Sequence, residues 1–328
     1  MSKPKVFVTR RIFPEALDMI AAKTNMELWQ GELPPPKDIL LEKVKDCQGI
    51  LSLLTDELDA EFFKTADQLR VVSQIAVGYD NIDIAEATRR LIPIGHTPHV
   101  LNAATADMAF LLMMAAGRRL VESQIFVKEG RWRTWHPMHF LGPNVYGATL
   151  GIVGMGRIGL EMARRARGFD MEVLYTDTNR KSPEDEQEFN LNYRDLDEVL
   201  TKSDFISLHV NLTPKTHHLI SKREFHFMKP TAVLVNTARG SIVDHSALYN
   251  SLKKREIFAA GLDVTDPEPL QKDHPLLSLD NCIVVPHIAS ASFSSRLAMS
   301  NLAAQNLLAG LNGEPLMNCA NPEVYGVR

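Results

Sequence analysis

The chain has 328 residues, of which 45% are hydrophobic and 23% charged, and its formal net charge is −4. A chain of this length usually forms more than one hydrophobic core, so two domains are expected. The slightly acidic balance, with both signs interspersed, argues against nucleic acid or a membrane surface as a partner.

No apolar run reaches the roughly 18 residues that a membrane span needs, and the start of the chain has no signal-peptide pattern. The three cysteines have neither metal-ligand nor disulfide spacing. They therefore predict reduced thiols in a cytoplasmic protein without a metal site.

Strands and helices alternate through the first hundred residues, which predicts an open parallel sheet covered on both faces. These predicted elements are, in chain order and beginning with a strand, Lys5–Thr9, Pro14–Lys23, Met26–Trp29, Pro36–Asp46, Gly49–Leu54, Ala60–Ala66, Arg70–Ala76, Ile84–Arg90 and Ile92–Gly95. A long apolar stretch without proline follows, Asn102–Val127. It predicts one continuous helix that bridges two domains.

The segment Thr149–Gly159 then runs an apolar strand into G-x-G-x-x-G and on into a helix. Gly154 would allow the tight turn, Gly156 would let the backbone approach a pyrophosphate, and Gly159 would let helix and strand pack closely. The helix N-terminus offers unpaired N–H groups to phosphates. A second apolar run ends at Asp177, about 20 residues further on, where a carboxylate binds ribose hydroxyls. Together these features predict a dinucleotide site.

A second alternating series continues to the end of the chain. Its predicted strands are Phe205–His209, Ala232–Asn236, Ala259–Asp263 and Cys282–Val285, and its helices are Asp195–Thr201, Lys222–Phe227, His245–Lys253 and Ser294–Asn312. The last helix is expected to return the chain to its first domain. The predicted class is α/β, with two doubly wound parallel-sheet domains. A Rossmann dinucleotide-binding domain (residues 102–287) is inserted into a flavodoxin-like substrate, or lid, domain (residues 1–101 and 288–328).

Three polar residues follow predicted strands of the second series, where open α/β sheets place ligands: Arg239, Glu268 and His287. Each alone is ordinary, since a histidine after a strand is usually structural and an arginine there usually forms a surface ion pair. Their occurrence together, downstream of a dinucleotide fingerprint, favours a catalytic group.

The motifs as a set resemble those of the D-isomer-specific 2-hydroxyacid dehydrogenases, especially the glyoxylate/hydroxypyruvate reductases among them. The resemblance covers nearly the whole chain. The matching segments are Ala76–Asp83, the glycine-rich turn, Ser203–Val210, Asn236–Gly240, Gly261–Val264 and Pro286-His287, with Trp135–Gly142 matching the reductases in particular.

The resemblance implies a role for each polar residue. His287 is the acid/base, Glu268 bonds its other ring nitrogen, and Arg239 binds the substrate carboxylate and carbonyl oxygen. The backbone N–H groups of Val77 and Gly78 hold the carboxylate from the other domain. An acid/base and a cation are what reduction of a 2-keto acid requires besides a hydride donor.

Further contacts are implied by the same resemblance. The cofactor-binding residues are Thr105, Gly154, Gly156, Arg157, Ile158, Gly159, Asp177, Val210, Thr216, Thr237, Ala238 and Asp263. Asp107 matches a supporting position. The protein is expected to form a homodimer, in which Trp135 either reaches the partner's active site or only fills the seam.

Asp177 favours NAD, because its charge repels a 2′-phosphate. Arg180 and Lys181 follow it closely, and such residues hold that phosphate in enzymes that use NADP. A solvated loop is the other interpretation of this short basic pair. NAD is the predicted cofactor, with NADP as the alternative.

The expected function is reduction of a small 2-keto acid, glyoxylate or hydroxypyruvate, to glycolate or D-glycerate. Another enzyme of this architecture, such as a phosphoglycerate or formate dehydrogenase, is one alternative. An NAD-responsive transcriptional corepressor of the same fold is a second alternative, because such proteins keep the Arg, Glu and His residues.

Overall fold

The computed structural model describes residues 3–326. The chain divides into two compact units. The first comprises the residues up to Leu101 together with those from Ser292 on, and the second is Asn102–Ala291. Each unit is built on its own all-parallel sheet, as the alternation of strands and helices predicts.

The first unit begins with alternating short strands and helices. These are β1 (Lys5–Val8), α1 (Pro14–Lys23), β2 (Asn25–Leu28), α2 (Lys37–Val44), β3 (Gly49–Ser52), α3 (Ala60–Thr65), β4 (Val71–Gln74), α4 (Ile84–Arg89) and β5 (Ile94–Gly95). The spatial order is β2-β1-β3-β4-β5, which is the flavodoxin-like order. Strands β3 and β4 are buried along their whole length, as expected for strands covered by helices on both faces.

The second unit contains seven strands and seven α-helices among the described residues. These are α5 (Asn102–Gly117), α6 (Leu120–Lys128), β6 (Thr149–Val153), α7 (Arg157–Arg167), β7 (Glu172–Thr176), α8 (Pro183–Phe189), β8 (Leu191–Tyr193), α9 (Leu196–Lys202), β9 (Phe205–Leu208), α10 (Lys222–Phe227), β10 (Val233–Asn236), α11 (His245–Lys253), β11 (Ala259–Leu262) and β12 (Cys282–Val284). The spatial order, β12-β11-β10-β9-β6-β7-β8, is the Rossmann arrangement with one further strand. The predicted fold class is thus confirmed for both units.

The prediction of one continuous helix over Asn102–Val127 is wrong, because α5 ends at Gly117 and α6 starts only at Leu120. Between them Arg119 adopts a left-handed conformation, with φ of 52°, which interrupts the helical hydrogen bonds. Its guanidinium bonds both carboxylate oxygens of Glu122 in the next turn. Helix α5 lies within the second unit, where it packs on α7, β10 and β11.

The last helix, α12 (Phe293–Asn312), belongs to the first unit, where it packs on α1, β3 and β4. Ser292 caps it by accepting a hydrogen bond from the Ser295 amide. Gly310 permits its close approach to β4, since a Cβ there would lie 2.5 Å from the side chain of Val71. None of the helices in the described part of the chain is long and apolar enough to cross a membrane.

The segment after α12 is attached to β5 through the side chain of Asn321, which is fully buried. Its Oδ1 accepts from the Ile94 amide at 2.8 Å, and its Nδ2 donates to the Ile92 carbonyl and to Thr88 Oγ1 at 3.0 Å each. One side chain therefore satisfies two backbone groups at the β5 edge of this sheet.

We predict that Asn321→Ala lowers the free energy of unfolding of the first unit by about 2–4 kcal/mol, because it leaves two buried backbone groups without partners. Urea denaturation followed by circular dichroism measures this loss. Asn312→Ala, at an exposed position in the same unit, is the control and should stay within about 0.5 kcal/mol of the parent. Equal effects of the two substitutions would contradict the role given to Asn321.

Candidate active site

The glycine-rich turn between β6 and α7 has the geometry that its three glycines predict. Gly154 has φ of +95°, and a Cβ there would lie 2.7 Å from the backbone of His209. A Cβ at Gly159 would lie 2.4 Å from the Gly154 carbonyl oxygen, so the start of α7 packs directly on the turn. At Gly156, by contrast, a Cβ would meet no atom within 4 Å. Open space therefore faces the turn at the position where a pyrophosphate would approach.

The start of α7 and the end of β7 complete this half of the site. No side chain caps α7, so its first N–H groups are available to an anion. Asp177 directly follows β7, and its two oxygens accept hydrogen bonds from the amides of Met155 and Asn179 at 2.7 and 3.0 Å. A carboxylate offers about four acceptor positions, so Asp177 retains capacity for ribose hydroxyls. These residues fit a dinucleotide.

Other predicted cofactor positions differ in how their side chains are engaged. The Thr237 hydroxyl, just after β10, is buried and has no hydrogen-bond partner among the described residues, as expected of a group that a ligand would satisfy. The Thr216 hydroxyl instead donates to the Asn211 carbonyl at 2.7 Å. Asp107 pairs with Arg165 of α7 at 2.6 Å, which joins α5 to the helix of the glycine-rich turn.

The remaining predicted cofactor residues are placed along the same strand ends and helix starts. Thr105 and Ala238 lie in the first turn of α5 and after β10, Val210 lies after β9, and Arg157 and Ile158 open α7. Their contacts with a cofactor remain predictions.

His287 and Glu268 form a hydrogen-bonded pair, with Nδ1 and Oε1 2.5 Å apart. Burial opposes ionisation of Glu268, but the hydrogen bond and charge of His287 outweigh it and hold the carboxyl pKa below its usual 4.5. Glu268 is therefore ionised at neutral pH and accepts a hydrogen bond from Nδ1–H. The second ring nitrogen, Nε2, is the one left for proton transfer to a substrate.

The turn that presents His287 is built by Asp263, which directly follows β11 and is 1% exposed. Its carboxylate accepts from the amides of Ile288 and Ala289 at 2.7 and 3.0 Å, and its carbonyl accepts from the His287 amide at 2.9 Å. His287 itself has φ of 52°, an unusual conformation for a residue with a side chain. The three bonds to Asp263 hold it there.

Arg239 lies on the loop after β10, beside the loop of Glu268. A Cβ on the next residue, Gly240, would lie 2.0 Å from the Thr265 carbonyl, so the two loops touch backbone to backbone. Asn236 holds the Arg239 carbonyl at 2.8 Å. The positive charge of Arg239 also lowers the pKa of Glu268, after the larger effect of His287. The predicted trio is thus brought together in the second unit.

In the first unit, two carbonyl groups of the loop after β4 are bonded by side chains of the same unit. Gln74 donates to the Gly78 carbonyl at 2.8 Å, and His96 Nδ1 lies 3.0 Å from the Val77 carbonyl. Within the described residues, the backbone N–H groups of Val77 and Gly78 have no acceptor. Two adjacent free donors are what a carboxylate would require.

The amide side chain of Asn81 connects this loop to the rest of the first unit. Its Nδ2 donates to Gln74 Oε1 at 2.8 Å and to the Asp56 carbonyl at 2.7 Å. Buried Asp56 in turn accepts from Thr9 Oγ1 and the Leu53 amide. Sequence reasoning did not identify Gln74, Asn81, Asp263 in its turn-building role, or Gly240, because each depends on contacts that only the fold creates.

The segment after α5 carries large apolar side chains on its surface. Helix α6 buries none of its residues, and Trp135 is 78% exposed. The other exposed apolar residues of this segment are Leu120, Val121, Ile125, Val127, Trp132, Met138, Leu141 and Tyr146. Among residues 3–326, no cluster of His, Cys, Asp and Glu could hold a metal ion.

Comparison with known proteins places the chain in a family. Residues 110–289 match the model of the D-isomer specific 2-hydroxyacid dehydrogenase NAD binding domain. The chain is 51% identical to a glyoxylate reductase of Korarchaeum cryptofilum, over 99% of this chain and 98% of that one. It is 47% identical to a glyoxylate reductase of Thermococcus gammatolerans, over the same shares.

Among solved structures, the TT0316 protein of Thermus thermophilus superposes with a TM-score of 0.91 at 41% identity, covering 96% of this chain and 99% of that one. The family model and these relatives show that the chain is an NAD(P)-dependent dehydrogenase. The chain belongs to the D-isomer specific 2-hydroxyacid dehydrogenase family, and its second unit is the NAD-binding domain. The predicted resemblance is confirmed.

Proposed function

We propose that this protein reduces glyoxylate or hydroxypyruvate to glycolate or D-glycerate with NADH. The pairing of ionised Glu268 with His287, beside Arg239, is the observation that carries the proposal. Relatives of nearly equal length are glyoxylate reductases. The corepressor alternative shares the same trio, so turnover of a keto acid, and not the trio itself, separates the two.

Each polar residue then has a part in the reaction. The Arg239 guanidinium binds the substrate carboxylate and the carbonyl oxygen, where negative charge develops. A nicotinamide cofactor held at the glycine-rich turn would supply the hydride for the carbonyl carbon. His287 Nε2 gives its proton to the carbonyl oxygen, and Glu268 stabilises the protonated ring before this step. In the reverse direction neutral His287 takes the hydroxyl proton.

We also propose that Val77 and Gly78 bind the substrate carboxylate through their backbone N–H groups. Their free donors support this role. Gln74 and Asn81 fix the loop through its carbonyls, so they would act as positioning residues.

The proposed activity is tested with glyoxylate, hydroxypyruvate, pyruvate and 2-ketoisocaproate, each with NADH and NADPH, by loss of nicotinamide absorbance. We expect the two small polar acids with NADH to be turned over fastest. His287→Gln should lower kcat by about 10²–10⁴-fold, while His226→Gln, at an exposed histidine of α10, should leave it unchanged. NADH binding without turnover of any acid would favour the corepressor alternative.

A second prediction concerns pH. Because the pKa of Glu268 is held below 4.5, its negative charge is present throughout the neutral range and stabilises the imidazolium that gives the proton. Glu268→Gln removes that charge, so kcat for reduction should fall by roughly tenfold or more between pH 6 and 8. Rate profiles from pH 5 to 9 measure this loss. A profile like that of the parent would mean that Glu268 does not act through the histidine.

We propose that a second copy of the chain covers the exposed apolar segment around α6. A helix with no buried residue and several large apolar side chains is typical of a surface that is buried by association. Trp135 lies within this surface, where it would contact substrate across the dimer or fill the seam.

The protein is proposed to be cytoplasmic, on the basis of its three unpaired cysteines.

We expect sedimentation to give twice the 36.7 kDa chain mass. Ile125→Glu should yield a monomer, because it places a charge in the apolar surface. Leu33→Glu, at an exposed apolar residue of the first unit, should leave the dimer intact. A monomeric parent protein would refute the proposal. If the Trp135→Ala variant remains a dimer but has a lower kcat/KM, Trp135 belongs to the active site.

A further inference from the structure

Arg180, the first residue of the basic pair after Asp177, is exposed to solvent but also forms an ion pair. Arg180 donates from Nε and Nη2 to the two carboxylate oxygens of Glu186, both at 2.8 Å. The guanidinium also lies 5.4 Å from the centre of the Tyr193 ring. Glu186 is in α8, so this ion pair closes the loop that connects β7 to α8.

A tyrosine from β7 strengthens the arrangement. Tyr175 donates from its hydroxyl to Glu186 Oε1 at 2.6 Å and accepts from the Lys181 amide at 2.9 Å. Its ring is fully buried. Arg180 and then Tyr175 lower the pKa of Glu186 to about 2, so the glutamate remains charged at any pH at which the enzyme is used. Glu186 thus has three donors directed at its two oxygens.

The pairing determines what Arg180 offers to a ligand. A guanidinium binds a phosphate through the same planar fork of donors that it uses for a carboxylate. In this structure the Nε and Nη2 side of that fork is bonded to Glu186. Asp177 does not compete for Arg180, because its oxygens accept from Met155 and Asn179. An added 2′-phosphate would therefore meet the carboxylate of Asp177 and an arginine whose Nε and Nη2 donors already bond Glu186.

We propose that Glu186 is a second determinant of cofactor choice: by holding Arg180 in an internal ion pair, it withholds a phosphate-binding guanidinium from NADP. This inference rests on the proposed use of NADH and deepens it. Asp177 repels the 2′-phosphate, and Glu186 prevents the nearest arginine from compensating. Removal of either carboxylate alone should then give only a small gain, because the other still acts.

The test is a double-mutant cycle on nucleotide binding, which does not depend on turnover. The dissociation constants of NADPH and NADH are measured by nicotinamide fluorescence for the parent, Asp177→Ser, Glu186→Gln and the double variant. We expect the double variant to bind NADPH about tenfold more tightly than the product of the single effects predicts. Its NADH affinity should change much less. If the change in NADPH affinity of the double variant equals the product of the two single changes, the proposal is wrong.

Arg180→Met supplies the complementary test. In the parent it should leave NADPH affinity unchanged, because Arg180 is withheld, whereas in the double variant it should abolish the gain. Loss of NADPH affinity in the parent would show that Arg180 already binds the phosphate and would refute the inference. Tyr175→Phe keeps the ion pair and should behave like the parent. Failure to reduce any keto acid would refute the proposed reaction, but it would not alter these binding results.

Discussion

The geometry of the active site depends on one buried carboxylate, Asp263. Burial raises its pKa, and the amides of Ile288 and Ala289 oppose that rise by bonding the ionised form. Those two bonds, with a third from the His287 amide to its carbonyl, hold the left-handed turn. The position of the histidine ring therefore depends on the end of β11 as well as on the residues that follow its own strand, β12. Glu268 needs only to reach a ring that is already fixed.

Much of the fold could be predicted from the sequence, because apolar residues recur at different spacings in strands and helices and because glycines indicate the turn between β6 and α7. The first helix and α10 and α11 were predicted at their observed bounds. The short strand β8 and the acidic helix α8 gave no comparable signal and were missed. The helix break at Arg119 was also not predicted, because no feature of the sequence indicates that this arginine adopts a left-handed conformation.

The same limit applies to the site. Arg239, Glu268 and His287 were identifiable because they follow strands and match a family pattern. Their supports were not, since Gly240 is constrained by a backbone from another loop and Gln74 by an asparagine seven residues away in a folded turn. The ion pair of Arg180 was not predicted, because its partner Glu186 lies in a helix that the sequence pattern did not indicate.

The placement of α12 and Asn321 has a consequence for how the protein is made. All strands of the second unit lie in one continuous stretch, so that unit can complete its sheet while later residues are still in the ribosome. In the first unit, β3 and β4 lack the helix α12 that packs on them, and the Ile94 amide lacks its acceptor, until residues 293–321 have left the ribosome. The unit whose strands are made first is therefore the later of the two to complete its packing. Until then its incomplete sheet is open to pairing with other chains.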